Sequence, residues 1–370
     1  MRKLDVLTIG AGPAGSTVAR EMAKNGFNTL LIEKDTFPGE NKICAGCTGY
    51  AKSSILKVPE QIVEKNIHGS ITYFSWAERT RAINVYPCIN VYRRIFDNYL
   101  ANEAVINGAR LLTSTYVYDV SRERRLIKVY LKNLKTLEKF QLFARCVVFS
   151  DGPNSLAAKK FGIGFKGRPD NTGLGAIYEM RWDNNPLEYN EFYFDRKVSP
   201  WGYGWIFPKK NTVNVGVFCL LSKLKRNIRG SLDYLVKKHP IASKKLSDRK
   251  VVRFGAKLIP LQHAEKISSE RILVVGDAAG MVDPIWGAGI PSAIYAAKIA
   301  GKVLVEALEN DDLSKTSLSR YDEMWKESAR YKALPKPFWS KIVYNPISGP
   351  LFSLHRYVRF LRNRQVLHEI

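Results

Sequence analysis

The first patterned segment of the chain is a short apolar run close to its N-terminus. Residues 4–9, Leu-Asp-Val-Leu-Thr-Ile, are mostly apolar or β-branched, which predicts a β-strand. Residues 16–25 have helical character and end at Gly26, a residue type that commonly terminates helices. The apolar run Thr29–Ile32 predicts a second strand. The segment therefore has the pattern of a strand–helix–strand unit.

Three glycines separate the first strand from the helix in this unit. Gly10, Gly12 and Gly15 have the spacing G-x-G-x-x-G, and the second strand ends in Glu33. In a dinucleotide-binding unit these glycines permit a tight turn, the approach of a pyrophosphate and close packing of helix on strand. The helix N-terminus faces the phosphates, and an acid about 20 residues further on binds a ribose. We therefore predict a site for FAD or NAD rather than a glycine-rich turn of an unrelated protein, and the acidic Glu33 disfavours NADP.

A second strand–turn–helix pattern occurs late in the chain. Residues 271–280 predict a buried strand that leads into Gly-Asp-Ala-Ala-Gly. A helix of small residues is predicted over 292–304, after a turn that contains Gly289 and Ile290. The carboxylate of Asp277 could accept hydrogen bonds from a ligand, while the helix N-terminus offers unpaired N–H groups. Taken alone, this segment is equally typical of a ligand site and of an ordinary structural turn.

Taken together, the two segments resemble the FAD-binding fold of the aromatic hydroxylase superfamily. The similarity lies in G-x-G-x-x-G, the acid that follows it, the late G-D-A-A and the P-x-x-G-x-G-I at 284–290. The resemblance implies that the cofactor is FAD and not NAD. It also implies that Asp277 contacts the ribityl chain of the flavin, and that Gly289 and Ile290 face its ring.

Three further motifs narrow the family. Residues 42–47 are Lys-Ile-Cys-Ala-Gly-Cys, residues 93–100 fit R-x-x-F-D-x-x-L, and residues 200–208 fit P-x-x-Y-x-W-x-F-P at every specified position. Together they resemble the geranylgeranyl reductase family, FAD enzymes that saturate the double bonds of isoprenoid chains. The resemblance extends from residue 1 to about residue 305.

Within this family, the Cys44-Ala45 dipeptide is most similar to archaeal reductases that hydrogenate the geranylgeranyl chains of ether phospholipids. Their Cys-Ala-Glu-Gly appears here as Cys-Ala-Gly-Cys, because Gly46 and Cys47 occupy the last two positions. The late loop differs too, since the usual Gly-Gly-Gly-Ile has an alanine, Ala288, at its second position. The shared Cys44-Ala45 dipeptide implies that the substrate is an ether phospholipid with geranylgeranyl chains.

The resemblance also implies which residues contact the cofactor. It places Arg93 against FAD, a role that suits a guanidinium, whereas the alternative is a surface arginine on a helix that packs by Phe96 and Leu100. It places the backbone around Cys44 beside the flavin. The full set expected at FAD is Gly10, Gly12, Ala14, Gly15, Glu33, Lys34, Cys44, Ala45, Cys47, Arg93, Val117, Asp277, Gly289 and Ile290.

Aromatic residues alternate within the 200–208 motif. Tyr203, Trp205 and Phe207 follow the two-residue period of a strand, so their side chains share one face of a sheet. This face either packs in a core or lines an apolar pocket, and the family resemblance favours contact with a lipid chain near the flavin. Cys44, Tyr203 and Trp205 are therefore our candidates for catalytic residues. The proton donor stays open among the flavin, water, Tyr203 and Cys44.

The cysteines allow a separate hypothesis. Cys44 and Cys47 form C-x-x-C, which is typical of a redox pair or of half a zinc site. Zinc needs two further ligands, and no second C-x-x-C or H-x-x-H pattern is present, so we predict no metal site. A redox-active Cys44–Cys47 disulfide is a hypothesis. The odd total of five cysteines argues against a wider disulfide framework.

The rest of the pattern predicts a composite α/β fold of α+β type. It combines a Rossmann-type FAD-binding domain, an antiparallel-sheet substrate domain and a helical C-terminal segment. The predicted FAD-binding domain comprises residues 1–68, 91–168 and 256–310, the substrate domain residues 69–90 and 169–255, and the C-terminal segment residues 311–370. The strands predicted for the substrate domain, which should cover the flavin, include 174–182, 191–195, 202–207 and 212–220.

Composition adds a preference for anionic partners. The chain has 370 residues, of which 45% are hydrophobic and 25% charged, values typical of globular proteins. It carries 58 Lys and Arg against 34 Asp and Glu, a net charge of +24. The excess is concentrated in residues 221–257, with 12 basic and 2 acidic residues, and in residues 326–370, with 9 and 2. Such a surface favours acidic lipid headgroups or other anions.

The C-terminal residues combine this charge with apolar positions. Leu354, Tyr357, Val358 and Leu361 have helical spacing, with arginines between them. They fit a basic amphipathic helix on an anionic membrane surface or a core-packing helix with a solvated basic face. Nucleic acid is not an expected partner, since no recognition motif is present. Without a signal peptide or an apolar run of about 18 residues, we expect a cytoplasmic protein with peripheral contact at the inner face of the cell membrane.

The sequence thus predicts an FAD-dependent reductase of prenyl chains. The reduced flavin N5 would deliver hydride to one alkene carbon, and the other carbon would receive a proton. No second dinucleotide fingerprint is visible, so a reduced ferredoxin-like protein and NAD(P)H both stay open as electron donors. One alternative is a flavin monooxygenase or halogenase on the same fold. Another is a membrane-bound electron-transfer flavoprotein, whose usual iron–sulfur module five scattered cysteines do not supply.

Overall fold

The structure is a computed structural model that describes residues 4–49, 58–74, 82–84, 88–225 and 227–345. In chain order the strands are β1 (Leu4–Ile9), β2 (Thr29–Ile32), β3 (Cys47–Gly49), β4 (Val63–Ile67), β5 (Gly69–Phe74), β6 (Ala82–Asn84), β7 (Cys88–Val91), β8 (Arg110–Leu112), β9 (Thr115–Glu123), β10 (Leu126–Asn133), β11 (Lys139–Phe149), β12 (Thr172–Arg181), β13 (Tyr189–Phe194), β14 (Gly202–Pro208), β15 (Thr212–Leu220), β16 (Val251–Pro260), β17 (Ser268–Ser269) and β18 (Ile272–Val274). The α-helices are α1 (Pro13–Lys24), α2 (Arg93–Ile106), α3 (Leu156–Phe161), α4 (Ile228–Lys237), α5 (Ser243–Leu246), α6 (Ile290–Glu309), α7 (Lys315–Glu327), α8 (Ala329–Lys332) and α9 (Phe338–Val343).

The first sheet contains the predicted strand–helix–strand unit. Its strands lie in the order β17-β18-β11-β1-β2-β8, and β10 and β9 continue from β11 as an antiparallel ribbon. β1 pairs in parallel with β2 and with β11, which in turn pairs in parallel with β18. α1 and α6 pack on this sheet, so that Val6, Val18 and Ala297 share one buried core. The Rossmann-type fold is confirmed, and both predicted cofactor segments end at the same edge of the sheet, where such folds bind ligands.

The second sheet carries the aromatic motif on β14. Its strands lie in the order β16-β12-β15-β14-β13-β5-β6. α4 covers one face, where Leu232 packs with Val215, while Tyr203 belongs to the cluster on the opposite face. The pair β13–β5 is parallel, with Tyr189 opposite Gly69, which departs from the purely antiparallel sheet that we predict. The cause is topological, because after β6 the chain passes through the third and first sheets and returns to the second sheet by a long crossover.

A small third sheet joins these two layers. In it β7 pairs antiparallel with both β3 and β4. The sequence pattern does not predict β3, because a three-residue strand is too short for an alternation to be recognised. β16 belongs to the second sheet as far as Pro260, beyond residue 255, where the substrate domain is predicted to end. The domain boundaries stay a prediction.

Three helices follow α6 and form the described part of the basic C-terminal segment. Trp325 of α7 joins the core of the first sheet, whereas Trp339, Val343 and Tyr344 pack against the aromatic face of the second sheet. The amphipathic positions predicted over 354–361 lie outside the described residues. Within the described part of the chain, no helix combines the length and the apolar character needed to cross a membrane.

Candidate active site

The glycine turn after β1 is shaped by close backbone contacts. Gly10 has a φ of +96°, a left-handed conformation that favours glycine. A Cβ on Gly15 would lie 2.0 Å from the Gly10 carbonyl oxygen and 2.3 Å from Ser150 Oγ, so only glycine lets α1 approach β1 and β11. A Cβ on Gly12 would meet nothing within 4 Å. The space beside Gly12 is therefore open, as the approach of a pyrophosphate to the helix N-terminus requires.

Glu33, at the end of β2, lies at the same turn. It is buried, and its Oε2 accepts a hydrogen bond from the Ala11 N–H at 2.9 Å. Its Oε1 accepts a second hydrogen bond from the Asp35 N–H at 3.1 Å. The N–H of Thr115, the first residue of β9, donates to the Glu33 carbonyl oxygen at 2.9 Å, and Val117, two residues further along β9, is buried. Hydrogen bonds thus join Ala11, Glu33 and Thr115, which are distant in sequence, and the cofactor contacts stay a prediction.

The carboxyl group of Asp151 provides a further test of whether a dinucleotide fits here. Its Oδ1 is buried and has no hydrogen-bond partner within the described residues, and burial raises the pKa of the carboxyl. The Asp151 Cα would lie 3.3 Å from a Cβ on Gly10, so it is part of the glycine turn. A buried acceptor without a partner beside an open turn suits a ligand hydroxyl. Lys34, which follows Glu33, is exposed and leaves its side chain accessible.

The late cofactor segment meets the glycine turn at the N-terminus of α1. A Cβ on Gly276 would lie 3.0 Å from the Ala14 Cβ. In the next residue, Asp277 Oδ2 accepts a hydrogen bond from Lys257 Nζ at 2.6 Å. Burial alone would raise the pKa of Asp277, but the charges of Lys257 and Arg93 lower it below its usual range. This carboxylate is therefore charged at neutral pH, and Lys257 is a member of the site that sequence patterns do not indicate.

The N-terminus of α6 begins beside this carboxylate. Gly289 is the N-cap residue and provides no side-chain cap, and its Cβ position would lie 3.2 Å from Asp277 Oδ1. Ile290, the first residue of α6, is buried against Phe96 and Leu100 of α2. The uncapped helix N-terminus and the charged Asp277 are therefore adjacent, which is the arrangement that the resemblance implies beside a flavin.

Arg93, at the start of α2, is held in a fixed orientation. Its guanidinium makes two hydrogen bonds of 2.7 Å to Asp97, and its side chain is only 11% exposed, so it is not a surface arginine. Burial alone would lower the pKa of Arg93, but Asp97 and then Cys44 raise it above its usual value. Because Arg93 also acts on the pKa of Asp277, these residues form one electrostatic cluster. The structure thus brings Cys44, Arg93 and Asp277 together from three motifs.

The aromatic face of β14 contacts the loop that precedes α6. The Tyr203 hydroxyl donates a hydrogen bond to the Trp286 carbonyl oxygen at 2.7 Å. The ring of Phe192 lies 5.2 Å from the Trp286 ring and 5.7 Å from the Tyr203 ring, measured between centroids. Tyr344 of the C-terminal segment lies 6.2 Å from Tyr203. Our sequence analysis missed Trp286 and Tyr344, since neither belongs to a periodic pattern, whereas alternating aromatics on β13 could have indicated Phe192.

A buried polar network links this aromatic face to the Cys44 loop. Trp205 Nε1 donates to Asn214 Oδ1 at 2.9 Å. Asn214 Nδ2 donates to Glu179 Oε2 at 2.9 Å and to the Cys44 carbonyl oxygen at 3.4 Å. Lys209 Nζ donates to the two carboxylate oxygens of Glu179 at 3.1 and 3.0 Å, and both side chains are buried. No sequence pattern indicates this network, because its members lie singly within largely apolar strands.

The Cys44–Cys47 disulfide stays a hypothesis, and the structure places Cys47 next to a different cysteine. All five are free thiols, and Cys47 Sγ lies 3.4 Å from Cys88 Sγ. Cys44 Sγ instead accepts a hydrogen bond from the Gly46 N–H at 3.4 Å. Among the described residues, no group of three or more His, Cys, Asp and Glu side chains could hold a metal ion.

Comparison with known proteins adds a sequence relationship to this geometry. Residues 173–258 match the geranylgeranyl reductase catalytic domain, and residues 8–42 match an NAD(P)-binding Rossmann-like domain. A digeranylgeranylglycerophospholipid reductase from Methanocaldococcus jannaschii is 34% identical over 331 residues, which cover 87% of this chain and 82% of the relative. Digeranylgeranylglycerophospholipid reductase 1 from Methanosphaera stadtmanae is 32% identical over 355 residues, with coverage of 93% and 86%.

Solved structures show the same fold. A geranylgeranyl bacteriochlorophyll reductase-like protein from Thermoplasma acidophilum superposes with a TM-score of 0.79 at 24% identity, covering 94% of this chain and 91% of its own. The flavin-dependent brominase Bmp2 gives a TM-score of 0.73 at 18% identity, with coverage of 97% and 93%. The fold and the cofactor segments define a dinucleotide-binding oxidoreductase, in agreement with the class of cofactor that the motifs predict. By its sequence identity to the reductases above, the chain belongs to the geranylgeranyl reductase family, as the motifs predict.

Proposed function

We propose that this protein reduces the carbon–carbon double bonds of geranylgeranyl chains in an ether phospholipid. The observation that carries the proposal is the contact between the Tyr203 hydroxyl and the Trp286 carbonyl oxygen. This contact puts a large apolar face directly against the loop that we expect to face the flavin ring. The relatives described above are named as digeranylgeranylglycerophospholipid reductases, and the likeness covers most of their length. A long unsaturated chain is the substrate that such a face suits.

We assign the cofactor contacts to two groups of residues. At the nucleotide end, the turn receives the pyrophosphate and the acid receives the ribose; this group is Gly10, Gly12, Ala14, Gly15, Glu33, Lys34 and Val117. At the ring end, a charged carboxylate receives the ribityl hydroxyls, and backbone groups border the ring; this group is Cys44, Ala45, Cys47, Arg93, Asp277, Gly289 and Ile290. The open space beside Gly12 and the charged Asp277 support the two assignments.

The aromatic residues act by alignment rather than by polarisation. Reduced FAD, when bound, supplies the hydride that the alkene accepts. An isolated alkene has no carbonyl for the protein to polarise, so the protein lowers the barrier mainly by fixing the chain and excluding water. Tyr203 and Trp205 contact the chain in this proposal. Because the Tyr203 hydroxyl already donates to the Trp286 carbonyl, we assign it to positioning and leave proton delivery to another group.

Asn214 is the residue that couples the aromatic face to the cofactor loop. Its Oδ1 fixes the indole of Trp205, and its Nδ2 points to the Cys44 carbonyl oxygen. Glu179 also accepts from Nδ2, which prevents the amide from flipping, and Lys209 compensates the charge of Glu179. A change in this network should therefore move Trp205 relative to the Cys44 loop.

The electron donor and the membrane contact belong to the same proposal. With one dinucleotide fingerprint in the chain, reduced ferredoxin-like protein or NAD(P)H reduces the FAD. The protein binds an anionic membrane surface through the edge strand β16. Val252, Arg253 and Phe254 are exposed there, next to Lys250. Basic and apolar side chains in one patch suit an anionic bilayer. Flotation with anionic vesicles should recover the protein, and Val252→Asp should reduce the bound fraction, whereas equal binding to uncharged vesicles would contradict the charge contribution.

Mass spectrometry of the lipid tests the function directly. The dithionite-reduced protein is incubated without oxygen with a geranylgeranyl phospholipid, and each saturated bond adds two hydrogens to its mass. Trp205→Ala should abolish most of the gain, while Phe143→Ala, an aromatic residue exposed on the first sheet, should leave it intact. An unchanged lipid, with the reduced flavin reoxidised only when oxygen or a quinone is admitted, would favour a monooxygenase or an electron-transfer flavoprotein.

A further inference from the structure

Two thiols, of Cys47 and Cys88, meet near the active site; we assign Cys47 to the border of the cofactor, whereas Cys88 has no role in the proposed reduction. Cys47 on β3 lies opposite Asn90, and Gly49 lies opposite Cys88 on β7, so the two cysteines are diagonal neighbours on one face of an antiparallel pair. Their Sγ atoms are 3.4 Å apart. A disulfide bond is about 2.0 Å long, so the sulfurs need to approach by about 1.4 Å. Such a movement is within the reach of small side-chain and backbone adjustments.

Asn190 holds this pair from the neighbouring sheet. Its Nδ2 lies 3.3 Å from Cys47 Sγ and 3.6 Å from Cys88 Sγ, and its side chain is buried. Asn90 Nδ2 donates in turn to Asn190 Oδ1 at 2.8 Å. The two sulfurs are therefore fixed by an amide network and do not meet by chance. Cys88 is partly exposed, so a small oxidant can reach its sulfur.

We propose that Cys47 and Cys88 form a reversible disulfide, an oxidant-responsive site beside the cofactor loop. Hydrogen peroxide converts the Cys88 thiol to a sulfenic acid and releases one water. The Cys47 sulfur then attacks the sulfenic sulfur, the S–S bond forms, and the second water leaves. Overall, two thiols lose two electrons and two protons, and one peroxide is reduced to two waters. A small dithiol reverses the reaction by exchange and is itself oxidised to a disulfide.

The roles of the two sulfurs follow from their contact. Cys47 donates its S–H to Cys88. This hydrogen bond is the main cause of the raised pKa of the Cys47 thiol, and burial is the second cause. We therefore assign the attack by the oxidant to the Cys88 sulfur, and Cys47 gives its proton to the departing hydroxide when its own sulfur attacks the sulfenic acid.

Oxidation would tie the cofactor loop to the aromatic motif. Cys47 directly follows the loop at Cys44–Gly46, while Asn90 of β7 donates to the Pro208 carbonyl oxygen at 2.7 Å. A Cys47–Cys88 bond would join the cofactor loop covalently to β7, which contacts the aromatic motif through Asn90, and would close a loop of about 40 residues. We therefore expect oxidation of the FAD-loaded protein to raise its thermal midpoint by several degrees, and a dithiol to reverse the rise.

Peptide mapping tests the pairing independently of the proposed substrate, since no lipid is involved. The FAD-loaded protein is treated with an equimolar amount of hydrogen peroxide, alkylated under denaturing conditions and digested with trypsin. Trypsin releases Cys44 and Cys47 together on residues 43–52, and Cys88 on residues 82–93. We expect these two peptides to be linked, free thiols to fall from five to three, and the alkyl group to sit on Cys44. Reduction should restore all five thiols.

Three variants make the result specific. Cys47→Ser and Cys88→Ser should each abolish the linked peptide, while Cys219→Ala, at a buried cysteine of the second sheet, should keep it. An internal bond within residues 43–52 with Cys88 alkylated, or linkage that survives in Cys88→Ser, would overturn the proposal. Five alkylated thiols after peroxide treatment would do the same, as would a thermal midpoint that falls on oxidation.

Discussion

The nucleotide end and the ring end of the active site are built in different ways. At the nucleotide end, the turn from Gly10 to Gly15 and the acid Glu33 come from one short stretch of chain, and backbone groups supply most contacts. At the ring end, side chains from separate strands and loops converge, as Asn214 and Asp277 illustrate. At the nucleotide end, a larger side chain in the glycine turn should reduce stability and FAD binding. At the ring end, the loss of a polar or charged partner should have this effect.

The largest effect is expected at the nucleotide end. Gly15→Ala places a methyl group within 2.0 Å of the Gly10 carbonyl oxygen, so α1 must move away from β1. Overpacking of this kind costs about 1–3 kcal/mol or more in folding, and the displaced turn should lose FAD binding altogether. Thermal unfolding of the apoprotein and titration with FAD measure the two consequences.

Gly12→Ala is the matched control for this substitution. Its Cβ meets no protein atom within 4 Å, and its φ of −76° is accessible to alanine. The apoprotein should therefore keep its unfolding midpoint, while FAD binds at least tenfold more weakly because the methyl occupies the open space. Equal losses of stability in both variants would show that the turn is not shaped by the contact at Gly15.

A comparable loss of folding free energy is expected at the ring end, where it comes from an unpaired charge and not from overpacking. Lys209→Met leaves the buried Glu179 carboxylate without its cation, which typically costs about 3–5 kcal/mol of folding free energy. The double variant Lys209→Met/Glu179→Leu removes both charges and should recover most of that loss. Urea unfolding of the two single variants and the double variant measures the coupling. Additive losses would mean that the two groups do not form a functional pair.

The pH response of the ring end should depend on Lys257. Because the pKa of Asp277 is lowered in the folded protein, its carboxylate adds stability above its unfolded pKa of about 3.9 and loses it as the pH falls through the folded pKa. Lys257→Met removes the nearest cation, so the acid limit of stability and of FAD binding should move to higher pH. Melting curves between pH 3 and pH 7 test the shift, with the exposed Lys250→Met as the control that should not move it.

The smallest effect is expected from Tyr203→Phe. The variant keeps the aromatic ring and loses one hydrogen bond to the Trp286 carbonyl oxygen, worth about 1 kcal/mol. If Tyr203 only positions the substrate face, KM for the lipid should rise severalfold while kcat changes little. A complete loss of turnover with unchanged lipid binding would instead identify Tyr203 as the proton donor.

The two ends also differ in how much of each could be predicted from the sequence. Glycine spacing and the acid after β2 indicate the nucleotide end, because turns and helix starts depend on neighbouring residues. The alternation of Tyr203 and Trp205 indicates their common face for the same reason. The parallel pairing of β5 with β13 has no local signal, since it depends on where a long crossover returns.

The sequence by itself therefore determined the class of cofactor, the family and the residues of the glycine turn. Only the tertiary structure decided that Lys257 neutralises Asp277, that Asn214 joins Trp205 to the Cys44 loop, and that Cys47 meets Cys88. Local sequence patterns indicate which secondary structure a segment prefers. Contacts between side chains on different sheets depend on how whole elements pack, and an isolated polar residue in an apolar strand does not reveal its partner.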